Sequence, residues 1–185
     1  KADEWRKRTI AEHNKRGAGA RYAAKAKFHF ALNTFNELKA IHLPRDPKQQ
    51  AKNAQLKIAA LTRLNSELAD VIKYDSPDEI VAALTLLGQA NAHLANSLVS
   101  APMPTNLTTE KGIAEYKAGV EKLAEPFKQK SQASFKAAVE RGWELEAFNE
   151  WYDLSYGALR EIDPKHHYDG GEEPIDVKSI NWMEI

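Results

Sequence analysis

The stretch PDEIVAALTLLGQANAHLANSLV, residues 77–99, decides the fold class. Its apolar residues Ile80, Val81, Ala83, Leu84, Leu86, Leu87, Ala90, Leu94, Ala95 and Leu98 cover more than half of a helical circumference. A helix apolar over so wide an arc is buried on more than one side. The stretch therefore predicts a central helix with neighbours on several faces. Asp75-Ser76 offers a cap and Pro77 suits the first helical position. Asp78 and Glu79 fall at the positive end of the helix dipole. Gly88, in the middle, costs about 1 kcal/mol relative to Ala. Close approach of a neighbouring helix would explain its choice.

Working outward, the helical period continues on both sides. Upstream, Leu56, Ala60, Leu64, Leu68 and Ile72 step by four residues within a helix expected from Pro47 to Tyr74. Its start reads Asp46-Pro47, a cap followed by Pro. Before it, Ala23, Ala26, Phe30, Ala31, Phe35, Leu38 and Ile41 mark a helix from about Ala20, ended by His42-Leu43-Pro44. The opening segment, Asp3 to Arg16, carries only Trp5, Thr9 and Ile10 on a sparse stripe and reads as a solvated or partner-covered helix. Downstream, Ala101-Pro102-Met103-Pro104 is an extended linker, and Thr108 is the expected cap of a fifth helix. Ile113, Tyr116, Val120, Leu123 and Phe127 run through Pro126, which predicts a kink. The sixth helix is expected from about Glu146 to Ile162, with Phe148, Trp151, Tyr152, Ser155, Leu159 and Ile162 inward. Asp163-Pro164 stops it. The whole predicts an all-α chain: about six helices stacked as long hairpins over 1–164, and an acidic, extended, largely non-helical tail over 165–185.

The 185 residues hold 26 basic and 26 acidic side chains, so the formal net charge is zero. That total predicts no general affinity for nucleic acid or anionic membrane. The charge is unevenly placed: residues 1–27 hold nine basic and three acidic side chains, and residues 141–185 hold four and eleven. Contact between the basic start of one copy and the acidic end of another is one reading of this asymmetry; solvated helix faces are the other. There is no cysteine, which excludes disulfides and thiolate metal sites. No apolar run approaches the ~20 residues of a membrane span.

The helices start near residues 19, 47, 77, 108 and 146, close to thirty residues apart. A tetratricopeptide hairpin takes about 34 residues for two helices, so these hairpins are too long for that consensus. Two local patterns do match it: Leu87-Gly88, and the ending Ala158-Leu159-Arg160-Glu161-Ile162-Asp163-Pro164 after Trp151 and Tyr152. With the Pro-rich linker and the segment from Tyr116 to Phe127, the chain resembles the C-terminal region of large tetratricopeptide-repeat proteins of the cell envelope. The similarity is to the delta-proteobacterial kind that includes gliding-motility components. The resemblance implies a periplasmic or envelope-associated scaffold that binds other proteins.

No catalytic constellation is legible. The chain has no Gly-rich phosphate loop, no nucleophile elbow and no His-Glu-x-x-His zinc helix. His166, His167, Asp169, Glu172 and Glu173 form the best metal candidate, though adjacent histidines in an acidic loop are common surface composition. His29, His42 and His93 are scattered over the chain. Arg6, Lys7, Arg8, Lys15, Arg16, Arg21, Lys25 and Lys27 are the basic set that nucleic-acid binding would need, with only Trp5 and Tyr22 close by to stack bases before Phe28. The expectation is a binding scaffold: no enzyme, no cofactor, no metal, no nucleic acid. Trp143, Trp151, Tyr152, Ile175 and Trp182 are the expected partner contacts. The alternative is a ligand- or metal-binding helical bundle, with Trp143, Phe148, Trp151, Tyr152 and Tyr156 lining a pocket.

Overall fold

The computed structural model describes residues 1–162, with the side chains of 15 and 16 left aside. The chain is all-helical over this range. Six helices follow one another: α1 (Ala2–Arg16), α2 (Ala20–Ala40), α3 (Pro47–Ile72), α4 (Pro77–Val99), α5 (Glu110–Glu144) and α6 (Glu150–Ile162). The tail boundary, Ile175, Trp182 and the candidate metal set from His166 to Glu173 lie outside the described residues.

Packing arranges the helices in two rows. α2, α4 and α6 touch in series. α3 packs against α2 and α4, and α5 against α4 and α6, while the backbones of α3 and α5 do not approach one another. Among the helices α1 packs against α2 alone, and its His13 ring meets Tyr74 in the turn after α3 at 5.1 Å between centroids. α4 therefore meets every helix except α1, as its wide apolar arc predicts. Val81, Ala83, Leu86, Ala90 and Leu94 on it are fully buried.

The two sides of α4 are built differently. Toward α5, Gly88 receives the Phe135 ring: a Cβ at Gly88 would lie 2.6 Å from that ring. No real Cβ packs so closely, so only Gly fits beneath Phe135. Ser131 of α5 donates to the Gly88 carbonyl at 2.9 Å. Toward α2 and α3 there is a buried cation. Lys57 is 1% exposed. Its Nζ donates to the Leu38 carbonyl, in the last turn of α2, at 2.9 Å and lies 3.0 Å from His93 Nε2 on α4. A positive group on a carbonyl at a helix C-terminus satisfies an orphan acceptor and complements the dipole.

Lys57 corrects the expected face of α3. The buried positions are Gln50, Lys57, Leu61, Leu64, Leu68 and Val71, while Leu56 is 48% exposed. A series stepping only by four drifts about 40° per step, because a turn holds 3.6 residues. Its ends, Leu56 and Ile72, therefore point to different faces. Alternating steps of four and three keep one face inward.

Other boundaries also shift. Thr109, not Thr108, caps α5 and accepts from the Gly112 N–H at 3.2 Å. α5 runs unbroken through Pro126 as one helix. It ends in a Schellman turn: Ala147 N donates to Gly142 O and Glu146 N to Trp143 O, with Glu146 left-handed at φ 54°. That turn displaces the start of α6 to Glu150. Asn149 caps α6, its Oδ1 accepting from the N–H groups of Trp151 and Tyr152 at 3.0 and 3.2 Å. Phe148 and Ile162, expected inward, are exposed, and so is Leu123 of α5. Phe148 lies in the turn rather than on the buried face of α6, and Ile162 is the last residue of the helix. The caps at Asp46, which accepts from Gln49 N at 2.7 Å, and at Ser76 stand where expected.

Candidate functional site

The candidate site lies at one end of the row α2, α4, α6. The first turns of all three helices lie side by side. Arg21, in the first turn of α2, donates to Asp78 of α4 at 3.0 Å. Asn149, the cap of α6, donates to the other Asp78 oxygen at 3.3 Å. One carboxylate thus ties three helix starts, where acidic groups are favoured by the dipoles. Below this tie, Thr85 Oγ1 lies 2.9 Å from Val81 O, 3.0 Å from Trp151 O and 2.8 Å from Ser155 Oγ. A hydroxyl carries one proton, so Thr85 serves one carbonyl at a time and shares a bond with Ser155. The arrangement fixes α6 against α4.

α1 lies along α2 and forms one wall beside this row. The result is a groove of about 640 Å³ between α1, α2 and the first turns of α4 and α6. Trp5 and Tyr22 stand on one wall, 67% and 71% exposed. Trp151 lies across from them, half-buried, its ring edge-on to Phe28 at 5.2 Å between centroids. Ala26, Leu32 and Ala82 contribute apolar floor. The charged residues divide by wall. Arg6, Arg21 and Lys25 come from α1 and α2, and Asp78, Glu79 and Glu150 from α4 and α6. Most of these are already engaged: Arg6 pairs with Asp3 at 2.9 Å, Arg21 with Asp78, and Glu79 accepts from Ser76. His29 stands 3.6 Å from Asp3.

The expected contact residues separate. Trp151 faces the groove. Trp143 and Tyr152 lie on the other flank of α6, packed with Tyr156 against Phe135, Val139 and Leu159. There the rings form a ladder, Trp143–Phe148–Tyr152–Tyr156, at 5.1, 5.2 and 6.2 Å between successive centroids. Gly142 seats Tyr152, since a Cβ there would lie 2.5 Å from its ring. The Trp143 indole N–H is buried and meets no acceptor in hydrogen-bond geometry. Burial raises the Tyr152 pKa, and the nearby Trp143 indole pulls it partly back. The rings of the expected aromatic pocket therefore pack on one another, and Trp151 is not among them. Trp5, Tyr22 and Lys25 were legible only as part of a basic, sparsely aromatic N-terminal run. Their convergence with Trp151 depends on α1 folding along α2, which local sequence does not encode.

Two further polar features are structural. Gln50, buried, donates to the carbonyls of Pro44 and Pro102 at 2.9 Å each and accepts from the Tyr116 hydroxyl at 3.0 Å. It joins both interhelical loops at that end to α5. At Lys57, burial lowers the ammonium pKa. At His93, burial first and the Lys57 and Lys39 charges second lower the imidazole pKa. His93 is then the neutral acceptor that Lys57 needs.

Among the described residues no group of three or more His, Cys, Asp or Glu side chains could hold a metal ion. No helix among them is long and apolar enough to cross a membrane. No known protein family matches the chain, and neither does any curated protein or solved structure.

Proposed function

We propose that this chain is a protein-interaction module, a helical-hairpin scaffold that binds a partner segment along the row α2, α4, α6 and performs no catalysis itself. The observation that carries the reading is the groove with Trp5 and Tyr22 exposed on one wall and Trp151 on the other. Large aromatics in contact with solvent are unfavourable in isolation and are enriched at binding sites. The order of packing supports an α-solenoid: each helix touches the next in sequence and α2, α4 and α6 touch in series, as in stacked repeats that present one extended surface. A tetratricopeptide-like ancestry and a periplasmic or cell-envelope setting follow from the sequence resemblance.

The test uses a photoreactive amino acid placed at position 22, in the groove, or at position 136, on the exposed face of α5. The complete chain carries it in cells that make this protein. Discrete cross-linked adducts from position 22 and not from position 136 are expected. Equal adducts from both, or none from position 22, reject the reading.

A further inference from the structure

The opposite end of α4 holds a second cavity, independent of the groove. It encloses about 340 Å³ between the first turns of α3, the last turn of α4, the linker that follows it and the first half of α5. It lies where the backbones of α3 and α5 do not approach one another. Leu98, Leu107 and Val120 are part of its apolar lining, and Leu123, 48% exposed, stands at its edge. No charged side chain lines it among the described residues. Its inner polar part is the pair Gln50 and Tyr116, whose hydrogen-bonding capacity can be counted. Gln50 gives both amide protons to the Pro44 and Pro102 carbonyls. Those oxygens only accept, so the amide orientation is fixed. Gln50 Oε1 likewise only accepts, so the Tyr116 hydroxyl spends its one proton there. Burial raises the Tyr116 pKa, the bond to Gln50 offsets part of that rise, and the hydroxyl keeps its proton. The pair therefore has lone pairs left, on the Tyr116 oxygen and on Gln50 Oε1, and no donor. Asn106, the other polar side chain of the lining, is exposed.

From this count we infer that the cavity binds a neutral, compact apolar molecule of two-ring size that carries one hydrogen-bond donor, an O–H or a ring N–H. The volume sets the size. It is about twice the ~150 Å³ that encloses one benzene ring, and it falls in the range of small-ligand sites. The apolar walls supply the burial, and a rigid ring system loses little freedom on entering them. The lone pairs of Tyr116 and Gln50 set the polarity, because only a donor satisfies them. A ligand that offers an acceptor there sets lone pair against lone pair and leaves both unpaired. A carboxylate fares worse, since the lining holds no cation to meet it. The exposed Leu123 is covered when the cavity is filled.

The complete chain, isotope-labelled for amide NMR, is titrated with three probes that share one ring system: indole, N-methylindole and indole carboxylate. Indole is neutral and has one donor, N-methylindole has none, and the carboxylate adds a charge. Indole is expected to bind with a dissociation constant below about 1 mM and to shift the amides around Gln50, Leu98, Leu107 and Tyr116. N-methylindole should bind at least about tenfold more weakly, a difference of about 1.4 kcal/mol, and the carboxylate more weakly than indole by at least the same factor. Ala51→Trp, at an exposed position of the lining, should close the cavity and abolish the shifts, with circular dichroism unchanged. Leu123→Trp, at the edge, takes its place if Ala51→Trp loses helical signal. N-methylindole or the carboxylate binding as tightly as indole removes the donor selectivity and overturns the inference. Shifts that persist in the closed variant put indole elsewhere on the molecule, and no shift at about 1 mM leaves the cavity without such a ligand. Either result overturns it too.

Discussion

Two sides of one helix hold this molecule together by unlike means. On the α5 side of α4, Gly88 and Phe135 fit with no space for a methyl group. On the α2/α3 side, Lys57 reaches Leu38 O and His93 through a buried ammonium. Both sides are buried, but one depends on volume and the other on protonation. Burial alone does not reveal which property a core region is sensitive to; the atoms at the contact do.

The sharpest way to break this contrast is to empty the volume-dependent side. Phe135→Ala should cost about 3–5 kcal/mol, the range for deleting a buried ring. Urea unfolding reads it, and a loss under about 1 kcal/mol would mean that α5 collapses into the space. Next comes Gly88→Ala, expected to cost about 1–3 kcal/mol through overpacking. In the Phe135→Ala background the cost should vanish, because neighbouring substitutions couple when they share one contact. If Gly88→Ala instead stabilises by the ~1 kcal/mol that helix propensity offers, the ring yields and the tight side is not tight.

On the other side, Lys57→Met keeps most of the volume and removes the donor. It should cost about 1 kcal/mol, the lower range for leaving a buried carbonyl unpaired. A stabilising result would place Lys57 among buried charges that well-packed apolar residues can replace without loss. The smallest effect is pH. The folded His93 pKa is lowered below its ordinary 6.5, so the folded state binds fewer protons there than the unfolded state. Its contribution is complete above about pH 6.5 and is lost as pH falls below that value. Lys57 is lowered from 10.5 and acts in the same direction, with stability rising as pH climbs toward that value. Thermal unfolding between pH 7.5 and pH 5 should show a decline that is reduced in His93→Gln, while Phe135→Ala leaves the slope unchanged. Equal slopes in the parent and His93→Gln would remove His93 from the account.

The contrast also marks what was legible in the sequence. The apolar arc of residues 77–99 showed a central helix, and the cost of Gly88 pointed to a close neighbour. Phe135 as that neighbour is a tertiary choice among several apolar residues of α5. The polar side was hidden, because a lysine on a helix is read as solvated unless something identifies its acceptors. Counting Leu56 inward and passing over Lys57 was one and the same misplacement of the α3 face. The groove shows the same limit. Trp151 was singled out by its type, but Trp5 and Tyr22 acquire their meaning only from the packing of α1 on α2. Trp143 and Tyr152, singled out for the same reason as Trp151, are held in the ladder on the opposite flank of α6.

The position of α4 has a consequence for how the chain comes apart. It touches α2, α3, α5 and α6, all within two helices of it along the chain. Such short-range connectivity means that structure can spread from the middle toward both ends without closing long loops. Opening should run the other way, with α1, which packs on α2 and otherwise meets the Tyr74 ring through His13, released first. Hydrogen exchange would then record a gradient: amides of α1 exchanging early, and those of α4 surviving until the whole molecule unfolds.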